Sequence, residues 1–324
     1  MLTPEVTVII PVFNAEKSIE KCYNSIQKQT FQDYEILLVN DGSTDNTESL
    51  LATIAKSDSK VRVINKKNEG VAVTRNFAVL EAKGKYILFM DNDDFIDSDY
   101  IEKFYNAISG KKLDVVVGGY RRVSEEKTLF EVSLKKDSWS KYTTISPWAK
   151  IYRKDFIIDN ELQFLDYIIG EDVYFNLQVY SLTKKISTID YVGYNWFDNI
   201  ESISNTAHKG FKKEADITYL FSMLNKKIKL DDSLTKYYLK RFYIYYLLYS
   251  GRTATYQDFL FEYKKIKGWL VEHSLLSNLS PFNKTVSSDR LSVKLIVFAF
   301  ELIESLKMIN LFARIYCKGE QSNG

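Results

Sequence analysis

The segment 91–94, Asp-Asn-Asp-Asp, contains the residues best suited to chemistry. It directly follows residues 86–90, an apolar run with the length of a buried strand. Asp91 and Asp93 can point toward one ligand, while the intervening Asn92 faces away. Carboxylate oxygens suit Mg²⁺ or Mn²⁺ bound to a diphosphate. A polar turn leading into a helix is the alternative, but the position after a buried strand favours the metal-site interpretation.

Two other polar segments offer contacts for a nucleotide. Asp41 ends another apolar run, and its carboxylate can accept a hydrogen bond from a uracil N3–H or a ribose hydroxyl. A glycine turn with a helix cap explains Asp41 equally well, and it explains residues 43–45 better. Arg75 follows Gly70 at the start of a predicted helix, where it can reach a phosphate. A surface salt bridge is an equally good interpretation of Arg75.

A third group lies further along the chain. Glu171 and Asp172 open a predicted helix over residues 173–182, and a carboxylate there can act as a general base. Acids also stabilise the start of any helix through its dipole, so structural capping is the alternative. His208, one of two histidines, is a candidate third metal ligand, and the neighbouring Lys209 can neutralise a diphosphate. A solvated histidine in a loop is the commoner outcome at such a position.

Alternating strands and helices must position these residues. Short apolar runs rich in β-branched and aromatic residues predict strands, and an apolar period near 3.6 residues predicts helices. The predicted strands are 6–13, 35–39, 61–64 and 86–90, and the predicted helices between them are 15–28, 45–56 and 71–82. This order favours an α/β fold with a Rossmann-like, mostly parallel central sheet and helices on both faces. Ligands bind at the carboxyl ends of such strands, where the acids lie.

The second part of the chain has a different pattern. Residues 212–229, 233–249, 256–273 and 291–317 have helical patterns, with most glycine and proline at their junctions. We therefore predict a catalytic domain over residues 1–210 and an all-helical appendage over residues 211–324. The segment 291–300 is apolar nearly all round, which favours a buried core helix or an oligomer interface. Contact with a membrane surface is the alternative.

Composition excludes several classes of protein. Lys and Arg number 44 and Asp and Glu number 42, so the net charge of +2 provides no field that would recruit nucleic acid. The two cysteines, Cys22 and Cys317, form no disulfide framework, which fits a reducing compartment. The Gly-rich motifs of the dinucleotide-binding and P-loop folds are missing, so a nucleotide would be held by other means. Without a signal peptide or an apolar run long enough for a bilayer, a cytoplasmic location is expected.

Together, the segments resemble family 2 of the inverting glycosyltransferases, which have the GT-A fold. The matching segments are 8–14, 39–45, 68–76, 89–94 and 170–172. Each match is modest alone, but all five occur in the order and spacing of the family. Asn92 departs from the pattern, because many relatives have a small or acidic residue there, but the pair of carboxylates is intact.

The resemblance implies a role for each matching residue. The nucleotide contacts would be Pro11, Phe13, Asp41, Asn68, Arg75, Asp91 and Asn92. Asp93 would bind Mn²⁺ or Mg²⁺, and Asp91 would contact the ribose or a metal-bound water. Asp91 and His208 are the further candidate metal ligands that the sequence itself offers. Asp172 would deprotonate the acceptor hydroxyl beside Glu171, and Trp148 and Lys150 would flank the acceptor.

The expected reaction is a single inverting displacement. It moves a hexose from a UDP-sugar to a hydroxyl of a cell-surface polysaccharide or a protein-attached glycan. Galactose or glucose is favoured slightly over N-acetylglucosamine. A sugar-1-phosphate nucleotidyltransferase is one alternative, but residues 8–16 lack the expected Gly-rich phosphate loop. A non-catalytic scaffold that binds glycan or nucleotide is another, and the retention of Asp91, Asp93 and Asp172 weighs against it. The further expected partners are a second copy, bound through the C-terminal helices, and the inner face of the membrane.

Overall fold

The computed structural model describes residues 3–199 and 210–319. His208 lies outside the described residues. The chain divides into two compact units, and the first comprises residues 1–136, 143–166 and 170–199. The second contains residues 137–142, 167–169 and 200–324. Two short segments from the predicted catalytic part therefore group with the helical part, and the boundary at residue 210 stays a prediction.

The first unit contains the strands and the helices that cover them. In chain order its elements are β1 (Val6–Val12), α1 (Ile19–Gln27), β2 (Tyr34–Asp41), α2 (Thr47–Ser57), β3 (Val61–Lys66), α3 (Val71–Glu81), β4 (Tyr86–Phe89), β5 (Phe95–Ile96), α4 (Tyr100–Ile108), β6 (Val115–Val123), β7 (Thr128–Val132), β8 (Lys150–Arg153), α5 (Lys154–Asp159), α6 (Glu171–Leu182) and β9 (Ile186–Phe197). The predicted α/β fold is confirmed.

The sheet has the order β3-β2-β1-β4-β8-β6-β9-β5, with β7 paired to β6. Strands β3, β2, β1 and β4 are parallel, as the sequence predicts. Strand β8 is antiparallel to both of its neighbours, whereas β6 and β9 are parallel to each other. The sheet is therefore mixed, and the mostly parallel arrangement holds for its first half.

The register of the parallel strands brings their carboxyl ends to one edge of the sheet. Ile9 of β1 pairs with Leu37 of β2 and with Phe89 of β4. All three side chains are fully buried, which explains the continuous apolar runs. Asp41 ends β2, and Asp91 follows β4 by two residues. The shared register therefore places both acids at the same edge of the sheet.

The second unit is helical, as predicted. Its helices are α7 (Ile217–Lys227), α8 (Ser233–Gly251), α9 (Tyr256–Glu272), α10 (Leu291–Ser305) and α11 (Ile309–Tyr316), with short 3₁₀ turns at Ser140–Thr143, at the border between the units, and Lys284–Val286. The side chains of Asp216, Asp232 and Thr255 cap the first three of these helices by accepting backbone N–H bonds.

The side chains of helix α10 are more exposed than predicted. Of its side chains, Val297 and Phe300 are buried, whereas several large apolar residues face solvent. The interpretation of this segment as a buried core helix is therefore wrong. None of the described helices combines the length and the apolar character needed to cross a membrane.

Candidate active site

Arg75 joins the acids that the sequence places far apart. Its side chain is 5% exposed, and Nη2 lies 2.8 Å from Oδ1 of Asp91. Nη1 lies 3.0 Å from Oδ1 of Asp172 and 3.7 Å from Oε1 of Glu171. The planar guanidinium has donors in a fixed fork, so it can serve carboxylates from two directions. Acids separated by 80 or more positions in the sequence therefore meet at one buried cation.

The local fold brings each partner of Arg75 into place. Gly70, with φ of 90°, precedes α3, and Arg75 follows in the second turn. Gly170 has a left-handed conformation (φ 73°) and starts α6, whose first turn carries Glu171 and Asp172. The positive end of the helix dipole favours both acids there. The capping interpretation of these acids and their convergence on Arg75 are therefore compatible.

The environment of Asp172 favours the protonated carboxyl. Burial, followed by the negative charge of Glu171, raises the pKa of Asp172 to about 8, although Arg75 opposes the rise. A base with a pKa near neutrality combines a useful ionised fraction with strong proton affinity. Asp172 is therefore suited to accept a proton from a bound hydroxyl near pH 7.

Asp94 has a structural role that the sequence analysis missed. It is 1% exposed, and its Oδ2 accepts a hydrogen bond from the Tyr194 hydroxyl at 2.5 Å. Its Oδ1 accepts one from the backbone N–H of Phe197 at 2.8 Å. The Tyr194 hydroxyl also accepts a bond from the backbone N–H of Asp91 at 3.2 Å. Tyr194 and Asp94 thus fix the segment that carries Asp91 and Asp93.

Asp91 and Asp93 form a pair of carboxylates that suits a divalent cation. Among the residues that the structure describes, no group of three His, Cys, Asp or Glu side chains is arranged to bind a metal. Burial, followed by the charge of Asp91, raises the pKa of Asp93. The two carboxylates therefore repel each other, and a cation would relieve that repulsion. Mg²⁺ commonly binds one or two carboxylates together with phosphates and water, and this pair matches that pattern.

Asp41 connects strand β2 to the loop before α3. Its carboxylate accepts hydrogen bonds from Lys66 Nζ at 2.7 Å and from the backbone N–H groups of Glu69 at 3.0 Å and Gly70 at 2.8 Å. Burial acts to raise the pKa of Asp41, but these bonds outweigh it and lower the pKa. The carboxylate is 3% exposed. The described contacts therefore give Asp41 a structural role, and a contact with uracil or ribose stays a prediction.

The other predicted nucleotide residues differ in exposure. Phe13 and Asn68 are exposed just beyond β1 and β3. Pro11 is buried in β1, and its carbonyl accepts a hydrogen bond from Asn92 Nδ2 at 3.1 Å. Asn92 thereby fixes the loop after β4 to β1. Phe13 and Asn68 are the residues of this set that offer free surface to a nucleoside.

Trp148 and Lys150 are buried within the first unit. Trp148 stacks on Tyr194 with ring centroids 4.6 Å apart. Lys150 is fully buried, and its Nζ donates hydrogen bonds to the carbonyls of Thr144, at 2.6 Å, and Ser146. Burial lowers the pKa of Lys150 to about 7. A direct acceptor contact by either residue stays a prediction, and their burial gives it no support.

A network of buried side chains holds the loop before β8. Lys150 binds two of its carbonyls, Tyr152 donates to the carbonyl of Pro147 at 3.1 Å, and Asn176 Nδ2 donates to that of Ile145. Asn176 Nδ2 also donates to the carbonyl of Asp172 at 2.9 Å. Sequence reasoning missed Asn176 and Tyr152. The sequence marks them only as polar side chains within an apolar segment. A polar residue with a purely structural role in the core has the same appearance, so this pattern could not identify them.

Known proteins with similar sequences are glycosyltransferases. The model of a family described as Glycosyl transferase family 2 matches residues 7–165. Glycosyltransferase GlyA of Streptococcus pneumoniae serotype 4 is 31% identical over 206 residues, which cover 57% of this chain and 29% of that protein. The poly(ribitol-phosphate) beta-glucosyltransferase of Bacillus spizizenii is 33% identical over 196 residues, covering 56% of this chain and 30% of that protein. The chain spans 29% to 65% of the length of the three curated relatives that match it first.

A solved structure has the same fold. The crystal structure of residues 1–349 of S. aureus TarS in complex with UDP-GlcNAc superposes with a TM-score of 0.66 at 21% identity. The alignment covers 95% of this chain and 89% of that one. At this identity the likeness concerns the fold. The family match and the curated relatives show that this chain contains a glycosyl transferase family 2 domain over residues 7–165.

Proposed function

We propose that this protein is a UDP-sugar-dependent glycosyltransferase that transfers a hexose, galactose or glucose, with inversion to a hydroxyl of a glycan acceptor. One observation carries the proposal: the buried Arg75 holds Asp172 beside Asp91 at the carboxyl edge of the sheet. The raised pKa of Asp172 adds a chemical reason. The family 2 domain supports the type of reaction, whereas donor, acceptor and stereochemistry belong to the proposal.

The residues suggest how protons and bonds move. Asp172 takes the proton from the acceptor hydroxyl, whose oxygen attacks the anomeric carbon from the face opposite the diphosphate. The new carbon–oxygen bond forms as the bond to the UDP oxygen breaks, so the configuration at carbon inverts. The proton is then on Asp172, and the negative charge is on UDP. General-base assistance of this kind contributes about 10²–10⁴-fold.

The donor side uses a different set of residues. Asp93 and Asp91 would hold Mg²⁺ or Mn²⁺, which offsets the charge that develops on a leaving diphosphate. Phe13 and Asn68, both exposed beyond the strand ends, would contact the nucleoside. Asp41 would support this surface indirectly, because its carboxylate holds the loop at Gly70. Binding and orientation of the donor are thus assigned to the strand ends and the base to α6.

The acceptor is proposed from the relatives. One relative is a poly(ribitol-phosphate) beta-glucosyltransferase, and the structural relative was solved with UDP-GlcNAc. These properties belong to the relatives. They support a cell-surface polymer as the acceptor class here, with a protein-attached glycan as the second possibility. UDP release, measured over a panel of UDP-sugars with candidate acceptors, would identify the donor.

Asp172→Asn tests the proposed base. The amide cannot accept the proton, so we expect turnover to fall by about 10²–10⁴-fold while UDP-sugar binding, measured by calorimetry, is retained. The matched control is Asp166→Asn, which changes an exposed acid in the same unit and should leave turnover unchanged. Near-normal transfer by a folded Asp172→Asn variant would refute the assignment.

A further inference from the structure

Helix α10 turns a continuous apolar row toward solvent. Leu291, Leu295, Phe298, Leu302 and Leu306 follow one another at spacings of three and four residues, which places them on one face. Their exposed fractions are 64%, 50%, 46%, 47% and 58%. In a helix that packs on a core, the apolar face is the buried one. Here the outward face is apolar as well.

More exposed apolar residues follow α10 in the chain. Met308, Leu311 and Ile315, near and in α11, are exposed by 41%, 50% and 74%. Phe282 adds a further exposed ring that contacts Phe298 edge to face, with centroids 5.6 Å apart. We name these nine residues, from Phe282 to Ile315, the apolar face. A patch of this kind on a protein surface marks an interaction site.

Within residues 291–318, the acids are paired and the remaining charged residues are basic. Glu301 and Glu304 are the only acids in residues 291–318. They form ion pairs with Lys240 and with Lys267, the latter at 3.0 Å. The segment also contains four basic residues, namely Lys294, Lys307, Arg314 and Lys318, and the last three are exposed. The apolar face is therefore flanked by cations, while its acids are neutralised.

We propose that the apolar face binds the surface of an anionic lipid bilayer. Leucine and phenylalanine would enter the boundary between headgroups and acyl chains, and the flanking cations would meet lipid phosphates. A second copy of this chain fits less well, because a two-fold interface places the same patch on both subunits. The cations of both subunits would then crowd around one apolar centre, and neither copy has a free acid in this segment to pair with them.

Vesicle co-sedimentation of the full chain tests the proposal. We expect the protein to pellet with vesicles of phosphatidylcholine and phosphatidylglycerol and much less with phosphatidylcholine alone. The double variant Leu295→Gln, Leu302→Gln should lower binding to the anionic vesicles by roughly 30-fold, since two aliphatic side chains no longer enter the bilayer. Lys307→Gln with Lys318→Gln should lower it by roughly tenfold without changing binding to the neutral vesicles.

A matched control separates the apolar face from exposed leucine in general. Leu80→Gln changes a leucine that is 70% exposed on α3, in the other unit, and should bind vesicles like the wild type. Thermal melting would verify that the leucine variants remain folded. Equal binding to both kinds of vesicle, or an unchanged double leucine variant, would overturn the proposal. So would a wild-type dimer in light scattering that does not pellet and that the leucine substitutions dissociate.

Discussion

Replacement of Arg75 by methionine should move the acid limb of the pH–rate profile to higher pH. The side chain is buried, and its guanidinium contacts Asp91, Asp172 and Glu171. Arg75 lowers the pKa of Asp172 against the effects of burial and Glu171. Without the guanidinium, the pKa of Asp172 rises further. A base must be deprotonated to act, so activity on the acid side is lost at a higher pH than in the wild type.

The size of the effect follows from the contact distance. With charge centres about 4 Å apart and an effective dielectric constant of about 20, the attraction is roughly 4 kcal/mol. The side chain of Asp172 is 26% exposed, so solvent screening reduces this to about 2 kcal/mol. Since one pH unit corresponds to about 1.4 kcal/mol, the acid limb should move up by about one to two pH units. On that limb, kcat/KM should fall by about 10- to 100-fold.

The assay is the pH dependence of kcat/KM for UDP release, which reports the groups of the free enzyme. Glu171→Gln removes a negative neighbour and should move the limb in the opposite direction, to lower pH. Arg62→Met is a matched control, because Arg62 pairs with Glu35 at 2.9 Å and contacts none of the three acids in the described structure. If a folded Arg75→Met variant kept the acid limb of the wild type, the electrostatic reasoning would be wrong.

Three further substitutions test the donor side and the scaffold. Asp93→Asn should weaken Mn²⁺-dependent UDP affinity by at least about tenfold while leaving affinity in EDTA unchanged, and calorimetry showing equal affinities with Mn²⁺ would rule out Asp93 as a ligand. Gly42→Ala should destabilise the protein by about 1–3 kcal/mol in urea denaturation, because Gly42 has φ of 69° and an added Cβ would lie 2.7 Å from the Asn68 nitrogen. Gly110→Ala is its control, with φ of 68° but no atom within 4 Å of the added Cβ, and equal losses at both sites would contradict the role of the close approach. Lys150→Met should lower the free energy of unfolding by about 2 kcal/mol, because two carbonyls lose their buried donor. If the variant is as stable as the wild type in urea denaturation, Lys150 does not stabilise the loop before β8.

Local patterns predict the first half of the sheet well. Strands β1, β2, β3 and β4 lie within two residues of their predicted ranges, because each is a short apolar run that is parallel to its neighbours. No strand is predicted between residues 91 and 199, although the five strands β5 to β9 lie there. Strand β6 contains Gly118, Gly119 and two arginines, which obscure the apolar pattern. Such strands are defined by their partners, and local sequence carries little information about partners.

The candidate site could be predicted only in part, because its contacts also join distant segments of the chain. The strand before Asp91 predicted the position of this acid at the edge of the sheet, whereas the role of Asp172 at a helix start was implied by the family resemblance. Both acids contact Arg75. The sequence left Arg75 undecided between a phosphate ligand and a salt bridge. Its partners are 16 and 97 positions away, so no local pattern could choose between them. The structure gives Arg75 salt bridges with both acids, and its burial leaves little surface for a phosphate.

The position of Arg75 also bears on how the two substrates would be aligned. Asp91 follows β4, on the proposed donor side, and Asp172 lies in the first turn of α6, on the proposed acceptor side. One buried guanidinium bonded to both carboxylates fixes their separation through short contacts of 2.8 and 3.0 Å. Lysine is a point charge on a flexible stem and does not provide this fork. Because displacement needs the acceptor oxygen within about 3–3.5 Å of the anomeric carbon, the buried Arg75 would contribute to alignment as well as to the charge of the base.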